Sequence, residues 1–174
     1  AKQILDKYSE IMLTDPKADI EQLKQKAEAF VRGKVEAIRA GNYDYNQMIL
    51  SRYFARQEKD YADQNAPVLT INRKQRERGN EPYALGTRIP MVVVDTGNPK
   101  SKFGEKVEVP DYALEHRLPL DIEYYIDKHL KQPLKRKVDV LDPTMISRMF
   151  PPPPKHMPRL NATDPLAGYI YVHN

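Results

Sequence analysis

At 174 residues, with 40% hydrophobic and 30% charged content, the chain can bury a usable core as one domain with an appended tail. It holds no cysteine, which excludes a disulfide framework and any thiolate zinc site, and no apolar run approaches the ~20 residues that span a bilayer. The net charge of +4 is a mild basic bias, compatible with a nucleic-acid partner without requiring one, so its distribution matters more than its sum.

The chain opens at Ala1 already inside a helical pattern, with no secretory signal, and is expected to be a segment of a longer intracellular polypeptide. Ile4, Leu5, Tyr8, Ile11 and Met12 form one buried stripe of a first helix. Thr14-Asp15-Pro16 ends it, and Asp15 as cap with Pro16 in the first turn is expected to start the next helix. There Ile20, Leu23, Ala27, Phe30, Val31, Val35 and Ile38 keep a helical period up to Gly41, the expected stop. Asn42 to Asn46 is turn chemistry, and Gln47 to Phe54 reads as a short strand or an extended bridge. A polar loop with some helix follows over residues 55–63, then a basic helix from about Ala66 to Arg78, ended by Gly79-Asn80. Met91 to Val94 is a strand bounded by Gly86 and by Thr96-Gly97-Asn98-Pro99, with Lys106 to Val109 able to pair with it. Asp111 starts a short helix. Asp121 caps a longer one carrying Ile122, Tyr125, Ile126, Leu130 and Leu134, which Pro133 is expected to kink because it removes a backbone donor. Met145 to Met149 suggests one helical turn, and Pro151 to Pro154 an extended polyproline segment leading into an arm ordered by a partner surface.

A search for catalytic constellations returns none. There is no Asp-x-Asp, no His-x-x-x-His and no glycine-rich phosphate loop, and the four histidines are scattered as surface or packing residues. Asp139 and Asp142 lie three apart and read as an ordinary solvated pair. What remains is basic. Arg73, Lys74, Arg76 and Arg78 sit on or just past one helix, Arg88 follows the Gly86 turn, and Lys100, Lys102 and Lys106 surround the 97–105 loop. Lys128, Lys131, Lys135, Arg136 and Lys137 form a second group. Two solvated helix faces would look the same; a phosphate-tracking surface is the sharper reading, since non-specific binding needs charge with little exact geometry. Tyr125 shares a stripe with Ile122 and Ile126 and is assigned to the core, Tyr124 to an edge. Tyr83 is the better aromatic contact candidate, with turn packing as the default.

Two stretches carry a resemblance. Lys74-Gln75-Arg76-Glu77-Arg78-Gly79, Pro82 and Gly86-Thr87-Arg88-Ile89-Pro90-Met91-Val92 form the first. Leu118-Pro119-Leu120-Asp121-Ile122-Glu123-Tyr124-Tyr125-Ile126, followed by Gln132-Pro133-Leu134, forms the second. Together, in this order, they resemble the C-terminal thumb of family B DNA polymerases over about residues 43–138.

The resemblance implies a fold that is mainly α with a small β element (α+β): a thumb-like helical domain with a β-hairpin and an extended Pro-rich tail. Its expected parts are a helical hairpin over residues 1–42 leading from palm into thumb, a DNA-binding thumb over 43–141, and a C-terminal arm over 142–174. It implies a role in a DNA-directed DNA polymerase, a nucleotidyltransferase, in which this chain binds double-stranded primer-template DNA and carries no catalytic residue and no metal. Arg73, Lys74, Arg76, Arg78, Arg88, Lys100, Lys102, Lys128 and Lys131 are then the DNA-binding candidates, and Pro119, Asp121, Tyr125 and Pro133 are architectural. Magnesium is expected in the palm of the full polymerase, with no cofactor in this chain. Palm and fingers are the implied protein partners, a sliding clamp is a further one, no membrane is involved, and the site of action is the nucleus or a viral replication site. The alternatives are a non-catalytic interaction module docking through its Pro-rich tail, or a separate subunit of a split polymerase.

Overall fold

The computed structural model describes residues 1–13, 19–139 and 142–153, which fall into two compact units. It is mainly helical with a three-stranded antiparallel sheet, as the mainly α, α+β reading requires. The units do not follow the expected boundaries at 42 and 141. One is formed by Ala1–Gln47 with the described residues from Ile122 on, the other by Met48–Asp121.

The first unit begins with α1 (Lys2–Leu13) and α2 (Ile20–Arg39). Asp19, not Asp15, caps α2: its side chain accepts the Glu21 N–H at 3.0 Å. Asp15 and Pro16 lie outside the described residues. Helix α2 ends at Ala40, and Gly41 leaves it with φ of 85°, a conformation that costs glycine little. The apolar stripes of α1 (Tyr8, Ile11) and α2 (Ala27, Val31, Val35) close one core with Ile126, Leu130, Leu134, Val138, Met145, Ile146, Met149 and Phe150. That shared core is why residues 122–153 form one compact unit with the first two helices.

The long helix of this unit runs through α6 (Ile122–Tyr125), a π-helical turn (Ile126–Lys131) and α7 (Gln132–Val138), and α8 (Met145–Met149) follows. Pro133 sits at the start of α7. A proline there removes one donor and crowds the carbonyl four residues back. The chain answers with a wider turn, in which the Gln132 N–H donates to the Asp127 carbonyl five residues behind. The helix continues past Pro133 through this bulge. Tyr125 is buried, as expected, while Tyr124 is half-buried and meets it edge-on at 5.6 Å. Of the expected polyproline stretch, Pro151 to Pro153 lies outside any helix or strand, and Pro154 and the arm after it lie outside the described residues.

The second unit is built on the sheet β1 (Leu50–Tyr53), β2 (Arg88–Val93), β3 (Val107–Glu108), in that order. The expected pair of strands is present in Val92↔Glu108 and Val93↔Val107, and β1 adds a third strand through Leu50↔Met91 to Tyr53↔Arg88. Pro90 lies in the central strand without breaking it. The Phe54 N–H donates to the Thr87 carbonyl and the Val94 N–H to the Lys106 carbonyl, so even-numbered residues of β2 aim their nitrogens toward β3. Pro90 is one of these, and β3 pairs only from Val92 on, so no ladder bond is lost there.

Around the sheet stand α3 (Pro67–Glu77), α4 (Phe103–Lys106) and α5 (Pro110–Glu115). Phe54, Val68, Leu69, Ile71, Ile89, Met91, Val107 and Val109 form their core. Gly104 allows the closest approach in this unit. A Cβ there would stand 2.0 Å from the Asn65 carbonyl oxygen.

Candidate nucleic-acid interface

Helix α3 starts at Pro67, whose missing N–H and preset φ suit a first turn. Val68, Leu69, Thr70, Ile71 and Asn72 are buried, which leaves the basic second half to project from the core. Asn72 fixes the turn that follows: its Nδ2 donates to the Tyr83 carbonyl at 3.1 Å and its Oδ1 accepts the Tyr83 N–H at 2.8 Å. Tyr83 packs against the core, so turn packing accounts for it.

The four cations of α3 divide. Lys74 and Arg78 turn inward onto Glu108, a carboxylate only 3% exposed. Arg78 Nη1 and Nη2 donate to Glu108 Oε1 and Oε2 at 2.8 and 2.9 Å, and Lys74 Nζ donates to Oε2 at 3.1 Å and to the Val107 carbonyl at 2.7 Å. The Val109 N–H adds a further bond at 2.8 Å. Burial pushes the Glu108 carboxyl up, but the bonds from Arg78, Val109 and Lys74 outweigh it and hold it below its ordinary value. Arg78 also lies 3.3 Å from the Tyr112 ring centroid, and Tyr112 stacks on His116 at 3.8 Å.

Arg73 and Arg76 face solvent. Arg73 has no ion-pair partner among the described residues. Arg76 is engaged by Glu58 through both guanidinium nitrogens, Nη1 to Oε2 at 3.2 Å and Nη2 to Oε1. Arg88 is exposed at the end of β2 and reaches within 3.5 Å of Ser51 Oγ. Lys100 and Lys102 are exposed on the 97–105 loop, where the Lys102 N–H donates to Glu105 at 2.9 Å. Lys106 is tied to Asp121 at 3.0 Å. Lys128 and Lys131 belong to the other unit: Lys128 is exposed beside Asp127 at 3.2 Å, and Lys131 is half-buried on the π-helical turn.

Sequence reasoning missed three features. Glu108 was legible in part, because a strand reading of Val107-Glu108-Val109 with both faces covered demands cations for its carboxylate. Glu58 gave no signal. The end of the β1–β2 pair was also missed: residues 50–56 and 84–90 hold three arginines (Arg52, Arg56, Arg88) and no carboxylate. They accompany Tyr53 and Leu85, exposed at 56% and 51%. Among the described residues there is no cluster of three or more His, Asp or Glu side chains that could hold a metal ion. No described helix is long and apolar enough to cross a membrane.

An α+β unit with an exposed basic edge has counterparts among known proteins. The chain matches DNA polymerase family B over residues 1–141. It is 34% identical over 112 residues to the DNA polymerase delta catalytic subunit of Candida albicans, covering 64% of this chain and 10% of that protein. With the delta catalytic subunit of Bos taurus it shares 31% over 111 residues, 63% of this chain and 10% of the relative. The DNA polymerase catalytic subunit of human herpesvirus 6B is 28% identical over 116 residues, covering 62% of this chain and 12% of that one. The family B DNA polymerase of the archaeon Pyrobaculum calidifontis has a similar fold, with TM-score 0.62 and 21% identity over 81% of this chain and 18% of that one.

The chain therefore belongs to DNA polymerase family B. It spans about a tenth of the length of the curated relatives it matches.

Proposed function

We propose that the chain is the thumb of a DNA-directed DNA polymerase, which grips primer-template duplex and holds it in line with a palm elsewhere in the protein. The observation that carries this reading is the set of exposed cations in the second unit: Arg73, Arg88, Lys100 and Lys102, with Arg52 and Arg56 beside them. Non-specific duplex binding requires such a set and little else. Arg76 joins them when released from Glu58, and Lys128 and Lys131 are separate candidate phosphate contacts within the first unit.

Lys74 and Arg78 act differently in this reading. Committed to Glu108, they brace α3 against β3 and so aim its outer cations. The chain makes or breaks no bond in the substrate. Its contribution is to keep the primer terminus within the narrow geometry that phosphoryl transfer demands. Magnesium is held by palm residues outside this chain, and the palm and fingers are its protein partners. The setting is intracellular DNA replication, in a nucleus or at a viral replication site, where a sliding clamp is a further partner.

The test is fluorescence anisotropy with primed duplex across a salt series. Arg88→Gln with Lys102→Gln is expected to weaken binding and flatten the log–log salt slope by about one per lost contact. An unchanged slope overturns the reading. Failure of the intact protein to bind in a salt-dependent way would favour an interaction module instead.

A further inference from the structure

We infer that Glu58 is an internal competitor for DNA phosphate, a brake that sets how much Arg76 contributes to binding. The inference rests on the duplex-binding reading above and adds to it a residue of opposite charge.

Glu58 opens a single 3-10 turn, Glu58–Asp60, whose Asp60 N–H donates to the Gln57 carbonyl at 2.9 Å. Its position is set from both sides. Phe54 is buried at the end of β1, and Tyr61 stacks with it at a centroid distance of 6.2 Å and packs on the core. Gln64 closes the far side, its Nε2 donating to the Tyr61 carbonyl at 2.8 Å. The carboxylate is therefore held in place opposite α3, and both its oxygens meet the Arg76 guanidinium.

The chemistry of the pair matches that of the proposed ligand. A carboxylate and a phosphodiester present the same two-oxygen edge to a guanidinium, so Glu58 occupies the hydrogen-bonding fork a DNA backbone would use. The magnitude makes this a brake and not a block. The two side chains are 49% and 41% exposed, and exposed ion pairs are weak enough to open during binding. Contrast Lys74 and Arg78, whose carboxylate is buried: those cations are not available for exchange at comparable cost. One helix thus carries two committed cations, one exchangeable cation and one that is free among the described residues.

The experiment is a double-mutant cycle on the full protein, read by anisotropy with primed duplex in a salt series. Glu58→Gln is expected to tighten binding by about two- to fivefold, the worth of an exposed pair. Asp60→Asn removes the same unit of charge two residues away without freeing Arg76, and is expected to tighten binding by less. Arg76→Gln is expected to cost little in the parent protein and clearly more in the Glu58→Gln background. Equal gains from Glu58→Gln and Asp60→Asn, a Glu58→Gln protein that binds no tighter, or an Arg76→Gln cost independent of background would each overturn the inference. The salt slope of the Arg88→Gln, Lys102→Gln protein separates the two readings. If that slope falls but the cycle shows no coupling, the brake alone fails; if it does not fall, the duplex reading fails and the brake with it.

Discussion

Arg39 and Glu123, 84 positions apart in the chain, meet as a two-point ion pair, with Arg39 Nε on Oε1 at 2.8 Å and Nη2 on Oε2 at 3.0 Å. The remaining Arg39 nitrogen, Nη1, donates to the Pro151 carbonyl at 2.9 Å. One guanidinium, on a residue only 7% exposed, thereby ties the end of α2 to the start of α6 and to the chain beyond α8. Removing Glu123 strands most of that buried charge. Glu123→Ala is expected to cost about 2 kcal/mol, below the ~3–5 kcal/mol of a fully buried pair because Glu123 is itself about half exposed. The urea midpoint should fall at unchanged slope. Adding Arg39→Met should recover part of the loss.

Glu108 makes stability depend on pH in one direction. Its folded carboxyl lies below the ordinary value of 4.5, because the cations and the Val109 N–H outweigh burial. A depressed carboxylate contributes stability above its unfolded pKa and loses it as pH falls through the folded one. Melting temperature should therefore drop below about pH 4.5, and Glu108→Gln should flatten that part of the curve. Glu108→Ala leaves Lys74 and Arg78 without their shared carboxylate and is expected to cost about 3–5 kcal/mol at neutral pH.

Two glycines should respond oppositely to alanine. At Gly104 the new Cβ meets backbone, the Asn65 carbonyl at 2.0 Å, so the loop before α3 or the start of α4 must shift. A loss of about 1–3 kcal/mol is expected from overpacking. At Gly33, inside α2, nothing lies within 4 Å. Gly33→Ala should therefore gain about 0.5–1 kcal/mol from helix propensity. Calorimetric melting of both variants checks the pair.

Tyr8 gives a fourth stability test. The residue is 3% exposed, and its hydroxyl has no hydrogen-bond partner among the described residues, while burial pushes its pKa up. Tyr8→Phe should leave stability unchanged or raise it by about 1 kcal/mol, since it relieves a desolvated polar group without opening a cavity. A clear loss would show that the hydroxyl is satisfied.

The helices were legible because their signals are local. The stripe of Ala27, Val31 and Val35, the Gly41 stop and the Gly79 stop of the basic helix each act within one or two turns. Pairing of Met91–Val94 with 106–109 was legible too, since only one β-rich run stood near. The unit boundaries were not, because nothing local in Leu134 or Met149 says that their partners are Val31 and Val35. Within the site, charge sign was readable but commitment was not. Lys74 and Arg76 look alike in sequence, yet one turns to a buried carboxylate and the other to an exposed one, and only tertiary pairing assigns them.

The first unit is completed by residues 122–153, which the ribosome makes only after the whole of 48–121. Val31 and Val35, wholly buried in the finished fold, must wait for Leu134, Met145 and Met149 while the whole of 48–121 is made in between. At ordinary elongation speeds the delay from Val35 to Leu134 and Met149 is about 5–23 s, long on the scale of helix formation and of collision with neighbouring nascent chains. Until then α1 is the element of this unit that covers the apolar stripe of α2, and the part of that stripe reserved for α7 and α8 stays open to a chaperone.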